Sequence, residues 1–452
     1  MKTLHAAIAG LGLAAGAALL ATTPSHSQAP APAATITPVP IPDGADFPVA
    51  QATIDGWVSA GDTGKIRGHA WALWAAMTAK SGQSFNGQEL PIWETWDGFA
   101  DVFATTVPVS AAGGRTLRPV RGFQRPLQFH HPVNGVVTAG AADNAHIVAD
   151  NKFDPVASAF ITAKQAGPGG VTYSYASQSS LNKLNAAWPP GTSGQARAIN
   201  DFPVRAIELK PVFGRVKAAG LTVQPLWRGP AGATNKVNPT PDTWTTCVLV
   251  DPAGQGALRA ATAAEITAAN ASGSACKTFL YGPLTLFYAV RLTADEAANF
   301  EAASGSPTSG GDYAVLLGLH ANTKEIPFWT WQTFWWQPGA DTPGGFPGSK
   351  VGQPASVTGP WKNYATCANY DQTTKPGGKV MQVCFNPYLE TSPGIPAGIQ
   401  SNCMSCHGTA RIAANSGYPT SYKGPIAFFS DAKYFNSAST HTDFSWAIPS
   451  AP

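Results

Sequence analysis

The sequence predicts a mainly β protein with an antiparallel, sandwich-like body, short N-terminal helices and a C-terminal segment of loops and short helices. Three observations predict this class. The 452 residues include 46 Gly and 39 Pro, a content typical of many turns. Short apolar runs separated by Gly, Pro and Asn have the spacing of antiparallel strands, without the alternating helices of a parallel sheet. With 44% hydrophobic residues, the chain can bury a large core.

The N-terminal region has the pattern of an export signal followed by a linker. Lys2 and His5 precede an apolar run over residues 6–21, which small residues follow. This pattern predicts a secretory signal peptide over residues 1–27. The rival interpretation is a membrane anchor, but the run is shorter than the roughly 20 apolar residues that span a bilayer, so we expect no transmembrane segment after signal removal. Residues 28–45 are rich in Pro and Ala and predict an extended linker.

Residues 46–354 predict the β-rich body, which opens with two helices. Ala52–Val58 and Lys65–Lys80 carry apolar residues at three- and four-residue steps, and Asp62 or Thr63 is a candidate cap for the second helix. His69, beside this apolar stripe, is expected to be packed or half-exposed and not a ligand. Further helices are predicted at Ser180–Ala187 and at Thr293–Ser304, where Thr293 and Glu296 have the spacing of a capping box. Six apolar runs predict strands: Val204–Leu209, Leu221–Leu226, Thr245–Val250, Leu284–Leu292, Tyr313–His320 and Phe328–Phe334.

The charge pattern excludes some classes of partner and reaction. The formal net charge is only +3 and no block rich in Lys and Arg occurs, so we expect no nucleic-acid partner. The sequence has no Gly-rich phosphate loop. It also has no spaced carboxylate pair or Ser/His/Asp order typical of a hydrolase. Glu94 and Glu208 are therefore expected to have surface or strand-edge roles and not to act as acids or bases.

Four of the six cysteines are predicted to form disulfides. In an oxidising compartment an even number of spare cysteines is typical of disulfide pairing. Proximity in sequence favours Cys247 with Cys276 and Cys367 with Cys384. Three pairings are formally possible, and buried free thiols are the alternative.

The other two cysteines lie in the pentapeptide Cys403-Met404-Ser405-Cys406-His407. C-x-x-C-H is the attachment pattern of a c-type haem, because each thiol can form a thioether to a vinyl group and the adjacent His can bind the iron. A zinc site would need a second ligand pair, and a thioredoxin-like dithiol would need a βαβ setting. The motif therefore predicts one covalently attached haem c, bound by Cys403 and Cys406, with His407 as the proximal ligand. Bacterial c-type cytochromes receive haem outside the cytoplasmic membrane, so motif and signal together predict a periplasmic or otherwise exported protein.

Residues 355–452 form the predicted haem-attachment segment. Only the 45 residues from Gly408 to Pro452 follow the motif, too few for the remainder of a self-contained cytochrome c domain. We therefore expect this segment to pack a haem against the β-rich body. A small separate domain that starts near Ala365 is the alternative.

The second axial position on the iron has several candidates. His320 is the first choice because it ends an apolar strand beside a Trp-rich run; its alternative role is a buried, hydrogen-bonded histidine. His441 is close to the motif, but residues 437–442 have the pattern of a polar surface loop. Met381 would give a higher reduction potential than a second His. The pair His130-His131 and an open position complete the alternatives.

Aromatic and basic residues supply weaker candidates for the site. The densest aromatic cluster is expected to form strand core, although such rings can also line a haem or substrate pocket. It comprises Trp329, Trp331, Phe334, Trp335 and Trp336. Arg121 and Arg125, near the His130-His131 pair, are weak candidates for a peroxide-activating group.

Several segments resemble those of exported bacterial cytochrome c family proteins of uncharacterised function. The segments are Gly68–Trp74, Trp93–Trp96, Ala206–Lys210, Gly318–His320, Lys324, Trp329–Trp331 and Thr333-Phe334. Together they span most of the mature chain, but only C-x-x-C-H is specific. The resemblance implies a haem protein outside the cytoplasm and no particular reaction.

Three functional hypotheses follow from the sequence. The first is a periplasmic monohaem c-type cytochrome that exchanges single electrons with a redox partner protein. The second is a haem-dependent oxidoreductase, peroxidase- or oxygenase-like, acting on a small organic substrate. The third is a haem-containing redox sensor or binding module. Six-coordinate low-spin iron would favour the first, and high-spin iron that reacts with carbon monoxide would favour the second.

Overall fold

The structure, a computed structural model, describes residues 36–103, 121–125, 147–167, 170–187, 197–341, 345–391, 398–412, 425–428, 430–431, 435 and 440–450. The predicted signal peptide, residues 28–35 of the predicted linker and the pair His130-His131 lie outside these residues. All described residues belong to one structural unit.

The helices are short, as the sequence predicts. They are α1 (Gln51–Ala60), α2 (Thr63–Met77), α3 (Phe99–Phe103), α4 (Pro155–Thr162), α5 (Gln178–Ala187), α6 (Ala263–Ala268), α7 (Ala294–Ser304) and α8 (Cys403–His407). The Asp62 side chain caps α2 by accepting from the Lys65 backbone N–H, and Thr293 and Glu296 form a complete capping box at α7. Within the described residues, no helix has the length and apolar character that a bilayer crossing demands.

Short strands make up several sheets. They are β1 (Lys80–Phe85), β2 (Gln88–Pro91), β3 (Asp97–Gly98), β4 (Val148–Ala149), β5 (Lys152–Phe153), β6 (Lys164–Ala166), β7 (Thr172–Ser174), β8 (Arg197–Ala198), β9 (Ile207–Val216), β10 (Thr222–Pro225), β11 (Thr246–Asp251), β12 (Arg259–Ala260), β13 (Thr278–Pro283), β14 (Ala289–Arg291), β15 (Tyr313–Thr323), β16 (Thr330–Trp336), β17 (Tyr364–Asn369), β18 (Arg411–Ile412) and β19 (Thr440–His441).

The main sheet has eight strands and is antiparallel throughout. Its order is β17-β16-β15-β9-β5-β3, with β14 paired to β15 and β4 paired to β9. A second sheet has the order β10-β11-β13-β12, and a three-stranded sheet has the order β18-β19-β8. The predicted fold class is thus confirmed. Two parallel pairs, β11 with β13 and β19 with β8, depart from the predicted antiparallel pattern.

The predicted haem-attachment segment supplies β17 to the edge of the main sheet, where it pairs with β16. The predicted strand Leu284–Leu292 is shorter in the structure. Leu284–Leu286 forms a 3-10 turn, and only Ala289–Arg291 continues as a strand.

Both predicted disulfides are present. Cys247 pairs with Cys276 and Cys367 pairs with Cys384, each with a Cα–Cα distance of 5.8 Å. The backbones of Cys384 and Asn402, the residue before α8, also pair in an isolated parallel β-bridge. The second disulfide therefore ties β17 to the start of the C-x-x-C-H helix.

The aromatic cluster on β16 is core, as expected. Phe334 stacks on Trp74 of α2 with ring centroids 4.4 Å apart, and Trp335 and Trp336 are buried in the same cluster. Trp329 and Trp331 belong to a second apolar cluster, which also contains Cys403 and Met404. The second cluster thus joins the end of β16 to the motif.

Three expectations about polar residues are wrong. Glu94 and Glu208 are buried, with 1% and 8% exposure, because segments remote in sequence cover them: Arg121 and Tyr288 contact Glu94, and Ser445 contacts Glu208. His441 is also buried and lies in β19, so the predicted surface loop is incorrect at this position. His69 is a packed core histidine, as expected; its Nδ1 is 2.5 Å from the Tyr370 hydroxyl.

Candidate functional site

The C-x-x-C-H motif forms a single capped helical turn. The Asn402 side chain accepts a hydrogen bond from the Ser405 backbone N–H and so starts α8. Cys403 and Cys406, three residues apart, lie on the same side of this turn. Neither forms a disulfide; Cys403 is buried and Cys406 is half-buried. Burial raises the pKa of Cys403 well above its ordinary value.

The His407 imidazole is fixed in one tautomer. Its Nδ1 lies 2.9 Å from the Phe444 carbonyl oxygen. Because a carbonyl only accepts, Nδ1 carries the proton and Nε2 keeps a lone pair. Burial lowers the pKa of His407 to about 3, so the ring is neutral at physiological pH. Trp331 packs against the ring, with centroids 4.3 Å apart.

His407 lines a cleft whose space, together with the adjoining space open to solvent, amounts to about 550 Å³. The cleft is lined by Asn151, Phe153, Glu208, Leu209, Lys210, His320, Ala321, Asn322, Trp331, Gln332, Leu389, Glu390, His407, Trp446 and Ala447. The two cysteines are not among these lining residues. Cys406 instead packs against the small apolar cluster that includes Leu389, a residue of the cleft wall.

Strand register assembles the polar floor of the cleft. In the antiparallel ladder Lys210 is opposite His320, and Glu208 is opposite Asn322. Asn322 is in turn opposite Trp331. Opposed residues and every second residue along a strand share one face of a sheet. These five side chains therefore face the same side, toward His407.

Burial shifts the pKa values of two ionisable side chains on this floor, Lys210 and Glu208. Burial lowers the pKa of Lys210 to about 7, against the opposing effects of Glu390 and Cys406. Burial raises the pKa of Glu208 to about 7, although its carboxylate accepts a hydrogen bond from Ser445 Oγ at 2.7 Å. His320 Nε2 is 3.0 Å from Glu390 Oε1 but makes no hydrogen bond within the described structure.

The raised pKa of Glu208 predicts a pH-dependent stability. Its folded-state pKa is about 7 and its ordinary value is 4.5, so between these values the unfolded chain loses a proton that the folded protein keeps. We expect the free energy of unfolding to fall by about 3 kcal/mol as the pH rises from 4.5 to about 7. Glu208→Gln should lack this component, and urea unfolding at several pH values would measure the difference. Identical pH profiles for both proteins would contradict the prediction.

The structure separates the three distal candidates. His320 lines the same cleft as His407. His441 stacks on Phe435, with centroids 4.3 Å apart, and Met381 Sδ accepts from Ser405 Oγ at 3.7 Å. Neither His441 nor Met381 lines the cleft.

The candidate peroxide-activating arginines lie elsewhere. Arg121 Nε binds Glu94 Oε1 at 2.9 Å, and Arg125 Nε donates to the Ala303 carbonyl at 3.2 Å. Neither side chain lines the cleft that contains His407.

Sequence reasoning missed Lys210 and Glu390, and it missed the contact of His407 with the Phe444 carbonyl. Lys210 alternates with Glu208 on one strand, a pattern that signals a shared face but not its partner. The contact with the Phe444 carbonyl has no sequence signal, since any residue supplies a backbone oxygen.

The side chains that the sequence predicts to hold a haem lie together in one helical turn. Cys403 and Cys406 form no disulfide, and His407 keeps an unprotonated Nε2. His320 lines the cleft that His407 also lines. Within the described ranges, no three side chains of His, Cys, Asp or Glu form a metal-binding group. No protein-family model, curated protein or solved structure matches the chain.

Proposed function

We propose that this chain is an exported monohaem c-type cytochrome that exchanges single electrons with a redox partner protein, in the periplasm. The observation that carries this proposal is the state of His407. The imidazole is neutral, its Nδ1–H donates to the Phe444 carbonyl, and its Nε2 keeps a lone pair, in the same helical turn as two cysteines that form no disulfide. The two disulfides support an oxidising compartment.

Each residue of the motif has a distinct role in this proposal. Cys403 and Cys406 would hold the haem through thioethers, and His407 would bind its iron. When bound, haem supplies an iron that changes between the ferric and ferrous states by one electron. Trp331 and the Phe444 carbonyl hold the His407 ring, and Phe153, Leu389 and Trp446 supply apolar wall to the cleft.

His320 would be a second protein ligand to the iron. Among the candidates within the described residues, it lines the cleft together with His407. Its Nε2 lies 3.0 Å from Glu390 Oε1, and binding to iron would take the place of that contact.

Optical and electron paramagnetic resonance spectra of the holoprotein test this assignment. We expect low-spin iron that does not bind carbon monoxide, because His407 and His320 would both bind the iron. His320→Ala should give high-spin iron that binds carbon monoxide. The controls His441→Ala and Met381→Leu, outside the cleft lining, should keep the low-spin spectrum. A His320→Ala protein with an unchanged spin state would contradict the assignment.

The second candidate function is a haem-dependent oxidoreductase acting on a small organic substrate. The observation that favours it is the contact of His320 Nε2 with Glu390 Oε1, at 3.0 Å. The two groups are close enough to pass a proton between them, so this pair would act as an acid–base group toward a substrate in the cleft. High-spin iron in the wild-type protein, with rapid reaction toward peroxide, would favour this function over electron transfer.

A further inference from the structure

The backbone that contacts His407 is held in an unfavourable conformation. Asp443 and Phe444 have φ values of 46° and 68°, in the left-handed region that residues with a Cβ seldom adopt. Two such residues in succession persist only where surrounding contacts determine them strongly. The Phe444 carbonyl that accepts from His407 Nδ1–H is part of this turn.

Contacts of the Asp443 carboxylate determine the turn. Asp443 Oδ1 is 2.5 Å from Lys324 Nζ, and each side chain is only 4% exposed. Asp443 Oδ2 accepts from the Phe202 backbone N–H at 2.8 Å. The carboxylate therefore joins the turn to two segments of the body at once.

Lys324 has its own anchor in the body. Its Nζ donates to the Pro327 carbonyl at 2.9 Å, and its backbone N–H donates to the Ala206 carbonyl at 3.0 Å. The ammonium thus has little freedom to move, and a buried ion pair with fixed partners sets a fixed geometry. Lys324 directly follows β15, the strand that carries His320.

We propose that Asp443, held by Lys324, is a positioning residue for His407: the ion pair fixes the Phe444 carbonyl, and this carbonyl sets the orientation and the basicity of the imidazole. The inference rests on the proposed function, because it concerns how His407 binds iron. A stronger hydrogen bond from Nδ1–H makes Nε2 a better electron donor, which favours ferric iron and lowers the reduction potential.

The test compares the holoproteins of the wild type and of Asp443→Asn. The amide removes the ion pair, the Phe444 carbonyl loses its fixed position, and the hydrogen bond to His407 weakens. We expect a more positive reduction potential and a changed or broadened electron paramagnetic resonance spectrum, with the haem still covalently attached. Lys324→Met should give the same changes if Asp443→Asn does not fold, and Lys324→Arg should retain the wild-type potential.

A matched control separates positioning from loss of stability. Asp312 is also buried and ion-paired, with its Oδ2 3.3 Å from Arg215 Nη1. Asp312→Asn should lower stability without changing the potential or the spectrum. Unchanged potentials and spectra in both Asp443→Asn and Lys324→Met, with haem attached, would refute the positioning role and leave the proposed function standing. A wild-type protein without attached haem would refute the proposed function and this inference with it.

Discussion

Replacement of both Cys403 and Cys406 by Ala is expected to abolish covalent haem attachment completely. A thioether needs a sulfur atom, and within the described residues these are the cysteines that form no disulfide. The protein should be expressed with the haem maturation machinery and analysed by intact mass under denaturing conditions. The wild type should carry the added mass of one haem, and the double variant should have the mass of the polypeptide alone.

A second cysteine pair provides the control for this experiment. Cys247→Ala with Cys276→Ala removes the same number of sulfur atoms but breaks a disulfide in the second sheet. This control should be less stable, by about 2–4 kcal/mol, and should still carry haem. Covalently bound haem in the Cys403→Ala, Cys406→Ala variant would disprove the attachment assignment. Haem absent from the wild type would disprove it as well.

Replacement of Arg121 by Met is expected to reduce the free energy of unfolding by about 3–5 kcal/mol. Arg121 is 2% exposed and binds Glu94 through two nitrogens, at 2.9 and 3.0 Å. A third nitrogen lies 3.2 Å from Glu296 Oε1. Loss of the guanidinium leaves the Glu94 charge buried without its partner, and that desolvated charge is the source of the cost. Urea unfolding would measure the effect.

Two further variants test this explanation. Arg121→Met with Glu94→Gln should recover part of the loss, because the double variant no longer buries the unpaired Glu94 charge. Arg259→Met breaks an Arg–Glu pair of similar geometry, 2.6 Å from Glu265, but at the surface, and should cost far less. Equal losses for Arg121→Met and Arg259→Met would contradict the role of burial. The haem spectrum should stay unchanged in both, since neither arginine lines the cleft.

Local features of the fold were predictable from the sequence. The Asp62 cap, the Thr293 and Glu296 capping box and the apolar runs of β15 and β16 depend on residues a few positions apart. The disulfide partners also lie near each other in sequence, separated by 29 and 17 positions.

Strand partners were less accessible to sequence reasoning. β11 pairs in parallel with β13 across a connection that contains β12 and α6. A period-two pattern indicates a strand but does not identify its neighbour or direction. For the same reason the burial of Glu208 was missed: the residues that cover it, near Ser445, are remote in sequence.

The sequence by itself determined that two thiols and an imidazole share five consecutive positions, because that chemistry depends only on local spacing. The tertiary structure alone decided which groups face the imidazole. His320 and Lys210 come to the cleft through strand register, and Phe444 through a turn that Lys324 and Asp443 hold. Register and buried ion pairs arise from packing between distant segments, so no local pattern in the chain encodes them.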